Sequence, residues 1–242
     1  MGGVKLAALV LVVVPAVGCT TFSSDPTGVD AGVEVVGPIV RDPLFRCGNV
    51  ETKGTVLACR DFEVATFAEA VSGLERLEDN GGGLSLERET TPPTGLLRST
   101  VQNASQGAQV RVTFTGPGEA FVFSVDVKAS TATLTAEKTI LTLGGPNTAQ
   151  LVIKLFKNEL RIVAGSVTAT KPIDAEWHRI AVVYDRGAGR ALLDGVELVP
   201  RAPWSISTTL VATLGYAKTG TVSGQSMLDM DNLIFVRNSS AP

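Results

Sequence analysis

The stretch "EWHRIAVVYDRGAGRALLDGVEL", residues 176–198, decides the fold. Its first part, "WHRIAVVYD", is an apolar run of strand length, and "RGAGR" breaks it. The second part, "ALLDGVEL", holds Asp194-Gly195 between apolar residues. An Asp-Gly pair in that setting is one of the strongest short hairpin signals, because glycine accepts positive φ without steric cost. Trp177 and Tyr184 flank the apolar strand and read as core residues.

The same grammar continues outward in both directions. "LVIKLF" and "ELRIV" flank "KN", a two-residue hairpin turn in which Asn158 tolerates positive φ. "AQVRVTFTG" places Val110, Val112 and Phe114 on one face, and "FVFSVDVKAS" does so with Phe121, Phe123, Val125 and Val127. "LERLEDNGGGLSLERE" reads as two strands around a glycine-rich turn. "VLACRDFEV" near residue 60 and "SMLDMDNLIFVRN" near the end add strand signals. About twelve short strands at this spacing predict an all-β chain, a two-sheet antiparallel sandwich or jelly roll.

Composition agrees. The chain has 242 residues, enough for one β-rich domain with a real core, and long helical patterns are scarce. The formal charge is −3 and no Lys or Arg cluster stands out. Nucleic acid is excluded as a partner on that ground, since phosphate binding needs a basic stripe.

The N-terminus reads differently. The apolar run Leu6–Val14 stops at Pro15, far short of the roughly 20 residues a spanning helix needs. Lys5, the short apolar run and the small residues after it fit a secretory signal. "AVGC" resembles the lipobox of bacterial lipoproteins, although Ala16 stands where leucine is commoner. The resemblance implies cleavage between Gly18 and Cys19 and a lipid on Cys19, hence a membrane partner and a place in the bacterial cell envelope. Thr20, not Asp, follows the cysteine, and by the enteric pattern that implies the outer membrane. An ordinary signal peptide that leaves a free thiol is the alternative. Residues 19–44 form the lipidated cysteine and a Ser-, Gly- and Pro-bearing tether, on which the patch 35–40 could dock back; residues 45–242 form the domain.

With Cys19 lipidated, Cys47 and Cys59 remain as a pair. In an oxidising compartment they read most simply as a disulfide, with a metal site as the alternative.

The 176–198 hairpin also resembles the laminin-G-like and concanavalin A-like lectin/glucanase superfamily. That family shows Trp-His at a strand start, then a hairpin and a strand ending in Asp-Gly. "LDMDNLIFV" (228–236) resembles its closing strand and "CRDFE" (59–63) its opening one. The likeness spans about residues 57 to 237 and implies a jelly roll with one concave sheet. Members bind sugars or proteins, cleave polysaccharides, or hold structure, so the fold alone does not choose.

Several chemistries can be weighed. Glycoside hydrolysis needs two carboxylates about one bond. Asp61/Glu63, Glu87/Glu89, Asp174/Glu176 and Asp229/Asp231 are spaced i, i+2, but the Glu-x-Asp-x-x-Glu triple of the family's glucanases is absent. "LLRSTVQ" (96–102) and "YAKTG" (216–220) echo two motifs of alginate-type lyases, with Arg98 as uronate neutraliser and Tyr216 as acid or base; the third motif, Gln-x-His, is missing. A serine triad would have to use His178, the one histidine, which reads as a packing or hydrogen-bonding residue. The resemblance implies a structural calcium, with Asp231 as ligand and carbonyls near Gly82 or Asp61 as partners. Asp231 is expected on the same strand face as Leu233 and Phe235. For a glycan, the residues expected to be exposed are Trp204 and Tyr216, joined by Arg98.

The expectation is thus a non-catalytic, membrane-anchored module that binds a polysaccharide or an envelope protein. A structural lipoprotein without small ligand is the alternative, and a lyase or glycosidase ranks behind both.

Overall fold

In the computed structural model the described residues are 47–49, 55–90, 93–103, 105–130, 134–146, 148–206, 208–218 and 225–237. The signal, Cys19, the tether and the patch 35–40 lie outside them.

A 3-10 turn, Cys47–Asn49, precedes β1 (Thr55–Arg60) and a one-turn helix α1 (Phe67–Ala70). Next come β2 (Glu75–Asp79), β3 (Gly83–Thr90), β4 (Pro93–Val101), β5 (Gly107–Thr115) and β6 (Ala120–Ala129). The middle holds β7 (Lys138–Gly145), β8 (Thr148–Phe156), β9 (Glu159–Ala164) and β10 (Val167–Pro172). The predicted central hairpin supplies β11 (His178–Asp185), β12 (Ala188–Leu193) and β13 (Val196–Pro203), and β14 (Thr209–Tyr216) and β15 (Ser226–Arg237) close the chain.

These strands form two antiparallel sheets, a jelly-roll β-sandwich. The first runs β13-β12-β11-β6-β15-β4-β3, with β1 also on β15; the second runs β10-β9-β8-β7-β14-β5-β2. The alternation read from sequence puts Val110, Val112, Phe114, Phe121, Phe123, Val125 and Val127 in the core between them. Phe235 of β15 stacks on Phe114 of β5 with ring centroids 4.0 Å apart, and on Phe121 at 5.1 Å. Each such side chain contributes about 1.5–3 kcal/mol when fully buried.

The turns follow their chemistry. Asp194 (φ 50) and Gly195 (φ 74) both take positive φ, the demand of a type I′ hairpin. In the Lys157-Asn158 turn, however, Lys157 carries the positive φ (49), not Asn158. The glycine-rich turn after β2 joins strands of different sheets, since β2 pairs with β5 and β3 with β4.

The closing strand departs from the predicted alternation. Asp231 faces Asp126 of β6, but the register slips between Asp231 and Ile234, where Asn232 takes φ 48. This bulge lies where β15 exchanges one neighbour for another: residues up to Met230 pair with β4, and residues from Leu233 pair with β1. The extra residue turns Asp231 to the outer face while Leu233 and Phe235 enter the core.

Cys47 and Cys59 form a disulfide with Cα atoms 5.5 Å apart. It ties the segment before β1 to a strand paired with β15.

Candidate functional site

The outer face of the first sheet is a closed polar network. Arg98 of β4 makes a two-pronged bond to Asp229 of β15 at 2.6 and 2.9 Å. Arg179 of β11 does the same with Asp126 of β6 at 2.6 and 2.8 Å. Asn232 donates its side-chain N–H to Asp126 and its backbone N–H to Asp231. Asp126 and Asp231 are each only 1 % exposed. A buried carboxylate persists when its oxygens are bonded, and the bulge supplies donors for both.

Asp61 is engaged elsewhere: it accepts the backbone N–H of Cys47 at 2.9 Å and that of Glu63 at 3.3 Å. Among the described residues no group of three or more His, Cys, Asp or Glu is placed to hold a metal ion. The calcium implied by the family resemblance would draw on Asp231 and backbone carbonyls, and Asp231 and Asp61 both accept backbone hydrogen bonds within the fold.

The two aromatic residues expected to be exposed are buried. Trp204 is 4 % exposed and its ring lies against the Cα of Gly189, where a Cβ would strike Cδ2 and Cε3. Tyr216 is fully buried; its hydroxyl donates to the carbonyl of Met227 at 3.3 Å. Burial pushes that phenol well above its usual pKa. Neither can stack on a sugar from these positions. Nor do Arg98 and Tyr216 share a groove. Arg98 lies on the outer face of the first sheet, whereas Tyr216 belongs to β14 of the second and points inward. The two strands do touch, through the Tyr216 N–H and Ser99 Oγ at 3.1 Å. Ser99 is the neighbour of Arg98, and neighbours on a strand point to opposite faces. The proximity is therefore of the wrong side chain.

His178 bridges two turns. Its Nδ1 lies 2.8 Å from Asp194 and its Nε2 3.2 Å from Asp174. Asp194 also accepts the Arg179 N–H at 2.8 Å. The hydrogen bond with Asp194 and the two nearby carboxylates raise the imidazole pKa. This matches the bonding role read from sequence.

Sequence reading missed the outer face of the second sheet. Because Val110 and Val112 point inward, Gln109, Arg111 and Thr113 point outward. Pairing carries a row across all seven strands: Glu75, Arg111, Thr213, Thr142, Val152, Val163 and Thr168. Arg111 meets Glu75 at 3.1 Å, and Gln109 donates to the Gly215 carbonyl at 3.3 Å. A second row joins Lys154, Arg161 and Thr170. Glu137, just before β7, accepts from Arg161 at 2.7 Å and Lys154 at 3.2 Å. Those bonds, the one from Arg161 first, hold its carboxyl below the usual range.

Beside this trio lies a shallow cleft of about 250 Å³, lined by Glu137, Phe156, Glu159, Arg161, Thr168 and Thr170. Lys157 stands over the Phe156 ring, 5.2 Å from its centroid. Glu137, Lys154, Lys157, Glu159 and Arg161 together carry one uncompensated positive charge. The signal that could have found this face was the alternation itself: the polar partners of each apolar face were on the page, but not which strands lie side by side. Lys138 was equally silent in the sequence. It is fully buried, its Nζ donates to the Gln106 carbonyl at 3.2 Å, and burial lowers its pKa.

The architecture defines a jelly-roll sandwich protein with a polar outer face on each sheet. No protein-family profile matches the chain, and no curated protein matches it in sequence. Among solved structures it is similar to an alginate lyase of polysaccharide lyase family 7, at 12% identity and TM-score 0.49, covering 74% of this chain and 91% of that one. It is also similar to an alginate lyase from Corynebacterium sp., at 9% identity and TM-score 0.47, covering 57% and 75%. A third is botulinum neurotoxin type C, whose cell entry depends on interaction with two ganglioside molecules, at 15% identity and TM-score 0.48. There the match covers 69% of this chain but 44% of the toxin chain.

These are likenesses of fold alone. They also correct one expectation. This sandwich was expected to be non-catalytic, with a lyase or glycosidase ranked behind binding and structural roles. Alginate lyases stand among the structures it resembles, so the architecture gives no ground for excluding catalysis or for that ranking.

Proposed function

We propose that this chain is a polysaccharide-directed enzyme that works at the outer face of its second sheet. The observation that carries the reading is the polar face itself: Gln109, Arg111, Thr142, Thr213, Lys154 and Arg161, presented by five adjacent strands beside a cleft with an aromatic wall. An extended row of hydroxyl, amide and cationic groups matches an extended chain of sugars.

Elimination is the reaction to which a cationic face is suited. A base takes the proton next to a uronate carboxylate, a carbon–carbon double bond forms, the glycosidic C–O bond breaks, and the departing oxygen takes a proton. Charge builds on the carboxylate during the step, and a fixed cation beside it stabilises that charge. Arg111, Arg161 and Lys154 are such cations. For proton transfer the face offers Glu75 and Glu159.

Alginate is the first polymer to test, since it is the one named for the similar lyases. The domain is incubated with alginate and the ultraviolet absorbance of the new double bond is followed. The expected result is a rise that Arg111→Ala and Arg161→Ala abolish. New reducing ends without that absorbance would replace elimination by hydrolysis. No cleavage of any uronate polymer would overturn the enzyme.

The sequence of residues 1–19 supports a further part of the proposal: a lipid on Cys19 anchors the domain in a bacterial envelope, at the outer membrane, where polysaccharide would reach it. Labelling with a fatty acid tests it, with Cys19→Ala expected to lose the label. The laminin-G-like and concanavalin A-like kinship rests on the 176–198 hairpin and its two end strands.

A further inference from the structure

We infer that Glu137 is an internal stand-in for a ligand carboxylate, and that the cleft over β8, β9 and β10 takes an acidic sugar at Arg161, with Lys154 beside it. This rests on the polysaccharide reading above and names the residue that sets its preference for an acidic sugar.

The argument starts from charge. Arg161 and Lys154 are register partners on β9 and β8, with their side chains on the same outer face. Two cations side by side repel, and Glu137 relieves this by accepting from both, at 2.7 and 3.2 Å. The side chains are 46%, 35% and 33% exposed for Arg161, Lys154 and Glu137, so all three are open to solvent. A half-exposed ion pair is held only weakly in water. A carboxylate from solution can therefore displace Glu137 without leaving a buried charge behind.

The surroundings suit a sugar ring. Phe156 offers an aromatic wall and Thr168 and Thr170 offer hydroxyls along one side of the same cleft. Glu159 also lines it, so a ligand with two adjacent carboxylates would meet repulsion there, and a single carboxylate per ring fits best. Glu137 competes with that carboxylate for the same donors. It thereby sets a threshold: neutral sugars lack the group that displaces it, and acidic ones have it.

The test is calorimetric titration of the domain with trimannuronate and with neutral mannotriose, using wild type, Glu137→Gln, Arg161→Gln and Arg161→Lys. Glutamine keeps the shape of Glu137 and removes its charge, and thermal melts check that each variant is folded. Trimannuronate is expected to bind wild type more tightly than mannotriose. Glu137→Gln should bind trimannuronate at least threefold tighter with mannotriose unchanged. Arg161→Gln should lose trimannuronate binding, and Arg161→Lys should recover part of it. Equal or weaker trimannuronate binding by Glu137→Gln overturns the stand-in, as does equal binding of the two sugars or none by any variant. Polymer cleavage that ignores these substitutions would leave the enzyme standing and remove this site. Tighter trimannuronate binding by Glu137→Gln without any cleavage would do the reverse.

Discussion

Asp126 on β6 and Arg179 on β11 stand opposite each other and close a two-pronged ion pair, with the Asp126 side chain 2% exposed and that of Arg179 16%. Breaking a buried pair from one side strands the other charge, which costs about 3–5 kcal/mol. Asp126→Ala is expected to lose stability of that size in urea unfolding. Arg98→Ala, on the more open Arg98–Asp229 pair, with side chains 28% and 11% exposed, is expected to lose clearly less.

Trp204 separates a packing role from a sugar platform. Trp204→Ala should cost about 3–5 kcal/mol, as for other large buried aromatics. Its indole N–H has no hydrogen-bond partner among the described residues, so Trp204→Phe should cost less. Gly189→Ala should destabilise by about 1–3 kcal/mol, because the new methyl meets the Trp204 ring. Chemical denaturation of the three variants checks the order.

The His178 bridge predicts a pH dependence. Its folded pKa is raised, so its contribution is complete below the unfolded value of about 6.5 and is lost as pH rises through the folded value. Asp174 has a lowered pKa, chiefly from the Glu176 N–H and then from His178. Its contribution is present above the unfolded carboxylate value of about 3.9 and fades as pH falls. The Tm difference between wild type and His178→Gln should therefore be widest between those two values and shrink toward alkaline pH. Melting curves from pH 4 to 9 read it directly; a difference that is flat across this range would remove the bridge from the account.

Removing the disulfide should destabilise the domain without unfolding it. The bridge closes a separation of 12 residues, worth about 3 kcal/mol in the chain-entropy model. Cys47→Ser/Cys59→Ser is expected to lose about 2–3 kcal/mol in urea unfolding, and a loss near zero would show that β1 is held by its pairing with β15 alone.

Local chemistry is what the sequence determined. Alternation named the core residues of β5 and β6, since side-chain direction repeats every two residues whatever the partner strand. Asp194-Gly195 announced its hairpin because positive φ is a property of the residue, and Cys47 and Cys59 announced their bond because few alternatives existed. Only the tertiary structure decided the rest. The strands on either side of "DNGGG" look like a hairpin but enter different sheets, since pairing depends on distant β4 and β5. Asp231 left the core face because a bulge forms where β15 changes neighbours. Trp204 and Tyr216 border loop-like sequence on one side yet are buried, because exposure depends on what packs across the sandwich. The row from Glu75 to Thr168, interrupted only by Val152 and Val163, is scattered over seven strands and becomes a surface only when their registers align. A face built by long-range pairing leaves no local mark, which is why the candidate site came from the fold and its core from the sequence.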